Sequence, residues 1–191
     1  ISGSCAEYDW SKISYSENEN LGIPATLYGK CKKELQIKAE SFCHAANLSF
    51  CWVRVFFIYG PYEHPERFVP SVVCSLLNNE IAKCSHGEQK RDFLFVEDVA
   101  SGFTSILESP VTGIVNIGSG KGIALKDIIE IIGKKIGRGD LIRLGAIPAQ
   151  KNDPPILIAD TKKLTEEVGW TPKFDLNTGL DQTIKWWRSK L

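Results

Sequence analysis

The sequence predicts an α/β fold, and three observations carry that prediction. A stretch opening at Tyr28 places Leu35, Ile37, Ala39, Phe42, Ala45 and Ala46 as the apolar positions of a helix of about five turns. A strongly apolar run from Leu48 to Ile58 stops at Tyr59-Gly60-Pro61-Tyr62, as a buried strand stops at a turn. Beyond it, short apolar runs alternate with amphipathic segments, the pattern of strands separated by helices.

Taken in order, Tyr8 is followed by Asp9, Trp10, Ser11, Ser14, Ser16, Asn18, Asn20 and Gly22, which read as loop. Pro24 and Thr26 introduce the long helix. After the Leu48 to Ile58 strand, Phe68 to Leu77 reads as helix, Ala82 to Ser85 and Asp92 to Val96 as short strands, and Val99 to Leu107 as helix. Gly113 to Ile117 is a strand, and Ala124 to Ile136 a helix with Leu125, Ile128, Ile129, Ile132 and Ile136 on its apolar side. Pro148 to Pro155 is the clearest loop, and helices around 161–168 and 176–187 close the chain.

Composition narrows the function classes. The 191 residues carry a formal net charge of zero and no basic stripe, which argues against nucleic acid and anionic membrane as partners. No apolar run reaches the ~20 residues of a membrane span. Six cysteines at 5, 31, 43, 51, 74 and 84 lack paired metal spacing, so a reduced, cytoplasmic protein without a metal centre is expected.

One spacing points to chemistry. Tyr28 and Lys32 stand four apart on one helical face, and Ser4 follows a short small or apolar stretch. A phenol titrates near ~10, and a neighbouring ammonium favours the phenolate, making tyrosine a useful acid–base near neutrality. Tyr8 and Lys12 repeat the spacing, but the loop composition around them assigns Tyr8 a structural role. The Gly118-Ser119-Gly120-Lys121-Gly122 segment is not a dinucleotide loop, because Ile123 takes its third glycine position; it reads as a strand-to-helix turn.

Six blocks then occur in an order that resembles the extended short-chain dehydrogenase/reductases, the nucleotide-sugar epimerases, dehydratases and ketoreductases. They are Ser4 with Tyr8, Pro24, Tyr28-Gly29, Lys32 and Glu34; Arg54-Val55-Phe56-Phe57-Ile58-Tyr59-Gly60-Pro61; Gly87 to Phe93; Val96-Glu97-Asp98-Val99-Ala100; Asn116 to Gly120; and a tail with Gly169-Trp170-Thr171-Pro172, Gly179-Leu180 and Trp186-Trp187. The resemblance implies a partial Rossmann-type fold with a smaller α/β substrate-binding domain. Residues 1–61, with 96–118 returning, would belong to the cofactor domain, and 62–95 with 119–191 to the substrate domain. Because the chain opens at Ile1 in what resembles the middle of that fold, it is expected to be a C-terminal part, with the glycine-rich loop upstream.

The resemblance also assigns roles. Ser4, Tyr28 and Lys32 would form the proton relay, with Tyr28, Lys32, Val55 and Ile58 at NAD or NADP. Ser4, Phe57, Arg67, Phe68, Arg91 and Asp153 would meet a nucleotide-diphosphate sugar, Arg91 as a guanidinium fork on the diphosphate. Asp98 is expected to cap the following helix. Phe57 and Arg67 stand where relatives often carry asparagine, and Cys5 and Ala6 where the 4,6-dehydratases carry an Asp-Glu pair. The expected activity is therefore epimerisation or 4-keto reduction by hydride transfer rather than dehydration. The alternatives are a non-catalytic dinucleotide-binding regulatory member and an inactive fragment. Homodimerisation through the Tyr28 helix is expected by the same resemblance.

Overall fold

A computed structural model describes residues 1–17, 22–149 and 153–191. Asn18, Asn20 and the middle of the Pro148 to Pro155 loop lie outside the described residues. The strands are β1 (Ser2–Ser4), β2 (Ser14–Tyr15), β3 (Cys51–Val55), β4 (Phe57–Tyr59), β5 (Ala82–Lys83), β6 (Lys90–Arg91), β7 (Phe93–Phe95), β8 (Gly113–Ile117), β9 (Ile123–Ala124), β10 (Ile142–Arg143) and β11 (Ile156–Ala159). The helices are α1 (Leu27–Ala45), α2 (Phe68–Leu77), α3 (Val96–Glu108), α4 (Leu125–Ile136), α5 (Lys162–Glu166) and α6 (Leu176–Arg188).

A parallel sheet in the order β1-β3-β8 organises the chain, with Ser4 opposite Val55 and Val55 opposite Ile117. Parallel neighbours require crossovers, supplied by α1 between β1 and β3 and by α3 before β8. Val53, Val55, Val99, Ile106, Val115, Ile117, Leu164 and Trp170 pack a core against this sheet. A second core gathers α2, α4 and α6 through Val69, Val73, Leu76, Ile128, Ile129, Ile132, Leu180 and Ile184. A third, around Tyr8, Tyr15, Phe56 and Leu157, lies where β2 pairs with β11.

Three expectations are corrected. The Leu48 to Ile58 run is two strands in two sheets: β3 pairs with β1 and β8, whereas β4 pairs with β7. The chain changes sheet at Phe56, whose N–H donates to the Ile117 carbonyl at 3.0 Å, and continuous hydrophobicity hides the change. The helix expected from Val99 begins at Val96, so Asp98 lies inside its first turn and caps nothing. Its carboxylate instead accepts the backbone N–H groups of Lys173 and Phe174 at 2.9 and 3.0 Å, pinning the approach to α6. Within the segment read as loop after Tyr8, Ser14–Tyr15 is a strand, because β11 is there to pair with it.

Glu7 and Arg54 form an ion pair at 2.8 Å, with both side chains fully enclosed. Glu7 also accepts from Ser4 N–H at 2.7 Å and from the Trp52 indole at 3.0 and 3.1 Å. Removing one partner of such a pair strands a buried charge. Arg54→Met should lower the unfolding free energy by about 3–5 kcal/mol in urea titration; a loss below ~1 kcal/mol would show that Glu7 does not rely on it.

Candidate active site

Open parallel sheets present their ligand crevices at the carboxyl ends of the strands, where several loops diverge. Here β1 ends at Ser4 and β3 at Val55, side by side, and a cleft of about 1040 Å³ opens against both. The Ser4 hydroxyl accepts from Ala6 N–H at 3.2 Å while Glu7 takes the Ser4 N–H, a reciprocal cap that fixes the 3-10 turn Cys5–Glu7. Ser4 thus has a structural task as well as its place in the cleft lining.

The first turn of α1 is brought to the same place. Thr26 caps the helix by accepting from Gly29 N–H at 3.0 Å. Gly29 is buried against the Ala6 carbonyl oxygen, so close that a Cβ at this position would collide with it. The Tyr-Gly order therefore has a steric reason: glycine lets the helix touch the Ser4 turn, and Tyr28, 57% exposed, faces the cleft beside it. Lys32, one turn on, donates to the Ser2 carbonyl on β1 at 3.1 Å, and its ammonium lies 6.0 Å from the centre of the Tyr28 ring.

Tyr8 has the opposite surroundings. It is 1% exposed, donates to Asn116 Oδ1 at 2.8 Å and receives Arg54 Nη1 at 3.3 Å. Burial pushes its phenol up to about 12, so at neutral pH it keeps its proton.

Nine of the ten expected site residues line the one cleft: Ser4, Tyr28, Val55, Phe57, Ile58, Arg67, Phe68, Arg91 and Asp153. Lys32 is not in the lining and reaches β1 from behind Tyr28. Arg91 and Asp153, expected as separate contacts, are joined by an ion pair at 2.5 Å. Arg91 also donates to the Lys90 carbonyl at 2.8 Å, and its guanidinium lies 5.6 Å from the Phe57 ring centre. Its fork therefore stands beside an aromatic ring, with part of its donor set committed. Arg67 is exposed immediately before α2 and Phe68 opens that helix.

Two features were not read from the sequence. Glu63, directly after the Tyr59-Gly60-Pro61-Tyr62 turn, lines the cleft, and burial pushes its carboxyl up to about 7. The only signal was an acid next to a turn. Asp92 fills the Gly118 turn: its carboxylate accepts Ser119 N–H at 2.7 Å, Gly120 N–H at 3.0 Å and Ala159 N–H at 3.1 Å. The amides that make this turn look like a phosphate cradle already hold an anion.

The fold and cleft define an open α/β protein with a site at the carboxyl edge of its parallel sheet. A model of the NAD dependent epimerase/dehydratase family matches residues 1–118, and the chain belongs to that family. It is 30% identical over 151 residues to CDP-abequose synthase of Salmonella typhimurium, covering 75% of this chain and 50% of that protein. The chain spans about half the length of the curated relatives it matches. Among solved structures, the UDP-N-acetylglucosamine 4-epimerase of Methanobrevibacter ruminantium superposes with a TM-score of 0.91 at 24% identity, over 100% of this chain and 63% of that one, and shows the fold. MoeE5, solved in complex with UDP-glucuronic acid and NAD, gives 0.87 at 25% identity over 100% and 64%. Members of this family are NAD-dependent enzymes.

Cys5 also lines the cleft, and burial, with the Asp92 charge adding to it, pushes its thiol up to about 12. A neutral thiol is a poor nucleophile. Iodoacetamide at about pH 8 should label exposed Cys31 and leave Cys5 intact in the native protein, as read by peptide mass spectrometry. Labelling of Cys5 as fast as Cys31 would contradict its enclosure.

Proposed function

We propose that this chain carries the proton relay and the sugar-binding wall of an NAD(P)-dependent nucleotide-sugar epimerase or 4-keto-sugar reductase. The observation behind this reading is the convergence at one sheet edge of Ser4, exposed Tyr28 and the Lys32 anchor on β1. Val55 and Ile58 give the cleft an apolar surface that suits a nicotinamide ring, and Tyr28 and Lys32 suit its ribose. These residues fit the nicotinamide end of the cofactor, whereas the Gly118 turn is already filled by Asp92. The chemistry a bound NAD would supply there is hydride transfer to or from the sugar carbon. Tyr28 takes or gives the proton of the sugar oxygen, Ser4 holds that oxygen, and the Lys32 ammonium is anchored on β1 one turn from Tyr28.

Elimination has less support. Cys5 holds its proton, Ala6 has none to give, and Glu7 is enclosed by Arg54, Trp52 and the Ser4 amide, so no carboxylate enters the cleft directly after Ser4. On this reading, residues 1–61 and 96–118 form the cofactor side, and 62–95 and 119–191 the sugar side. Support comes from the separate cores of the β1-β3-β8 sheet and of α2, α4 and α6, although Leu164 and Trp170 join the first. A homodimer through α1 is supported by its exposed Leu35, Ile37 and Phe42. Six thiols, none paired with another, fit a cytoplasmic setting.

In the full-length protein acting on a nucleotide sugar, Tyr28→Phe should lower turnover by roughly 100-fold or more with little change in substrate affinity. Tyr8→Phe should lose stability and keep turnover within a few-fold. The reverse pattern would reject the relay. Arg91→Ala should weaken binding of UDP, CDP or dTDP by about tenfold while leaving free glucose unaffected, read by calorimetry. Unchanged diphosphate affinity would remove Arg91 from the site.

A further inference from the structure

Four enclosed side-chain polar atoms have no hydrogen-bond partner among the described residues: Arg54 Nη2, Glu63 Oε2, Gln89 Oε1 and Trp187 Nε1. Of these four residues, Glu63 alone lines the large cleft. A carboxylate oxygen shut from water with nothing donating to it is unfavourable, and in a cleft wall it calls for an explanation. Tyr62, just before it, adopts a left-handed backbone at φ 66°, uncommon for a bulky residue. Tyr62 is in turn braced by the Trp186 ring, 4.8 Å away on α6.

The remaining charges do not satisfy Glu63. Arg67, four residues on, lowers its pKa through space without forming an ion pair with it, and burial outweighs that attraction. Arg91 and Asp153, the other charged members of the cleft wall, are occupied with each other. What Glu63 lacks is a hydrogen-bond donor. On the nucleotide-sugar reading, the group that arrives in this cleft with many such donors is the hexose.

Resting on that reading, we propose that Glu63 reads the sugar: its carboxylate, on the cleft wall, accepts a hydrogen bond from a hexose hydroxyl, and so separates hexose-bearing nucleotides from bare ones. A hydroxyl donating to the carboxylate favours its ionised form, so binding at pH 7 expels a proton from a group that titrates near that pH. The inference requires no covalent step, and it distinguishes Glu63 from the Tyr28 relay, which would touch the reacting oxygen.

The test is calorimetry at pH 7 with UDP, CDP and dTDP and with their glucose esters, on the full-length protein and on Glu63→Leu and Glu63→Gln. The hexose ester should lose about tenfold or more in affinity in Glu63→Leu and less in Glu63→Gln, which keeps an acceptor oxygen, while bare diphosphates bind all three proteins alike. Titrations in phosphate and in Tris should show proton release on ester binding, absent in Glu63→Gln. An equal gain from the hexose in all three proteins would overturn the assignment. So would parallel loss of bare diphosphate binding, which marks a structural role, or a fall in turnover with unchanged ester affinity, which marks a role in the chemistry. Failure of every nucleotide to bind the unaltered protein, by contrast, would overturn the nucleotide-sugar reading itself and this inference with it.

Discussion

The enclosed Glu7–Arg54 pair is the constraint on which the rest of the structure depends. Two full charges withdrawn from water are tolerable only when most of their hydrogen-bonding positions are filled; Arg54 Nη2 is left over, and filling the others organises three elements. Glu7 reaches back to Ser4 on β1 and across to Trp52 and Arg54 on β3. Arg54 passes the network to Tyr8, whose hydroxyl continues to Asn116 on β8, and Asn116 Nδ2 donates to the Tyr15 carbonyl on β2 at 2.8 Å. One polar path thus crosses the whole parallel sheet and joins it to the neighbouring one. Such a path fixes register more narrowly than apolar packing does, because a shift of one residue would leave several buried groups unpaired.

The site inherits its precision from that path. Ser4 is held by the same carboxylate that holds Arg54, and Gly29 rests on the carbonyl of Ala6 within the same turn. Tyr28 consequently sits on a helix docked to a rigid corner, while its own side chain remains in solvent. The arrangement separates two tyrosines that a spacing rule treats alike. One is a strut with a raised pKa inside the network; the other is exposed in the cleft lining.

Local chemistry was legible where it was periodic or strongly punctuated. The bounds of α2 and β8 follow directly from the apolar pattern, and α1 begins where Pro24 and Thr26 announce it. Two-residue strands such as β2 and β6 have no pattern of their own and exist because a partner strand runs beside them. The break at Phe56 was invisible because both resulting strands are apolar. Asp98 shows a different limit: an acid near a helix start has two outlets, and only the arrival of residues 173 and 174 decides between them. The Arg91–Asp153 pair spans 62 positions, too far for any spacing rule. Nine residues of the cleft were nevertheless identified, because a family motif records their convergence even where local physics does not.

The aromatic brace on the cleft turn has a practical side. Tyr62 lies against Trp186, and Trp186 against Trp187 with ring centres 4.8 Å apart, so the residue preceding Glu63 touches the outer ring of an indole pair. Indole emission responds to small changes in the polarity and geometry around the ring, and here the ring is joined by one side chain to the wall of the cleft. The C-terminal helix therefore carries an optical reporter one ring contact from the cleft turn, and Trp10, in the cleft lining itself, carries a second.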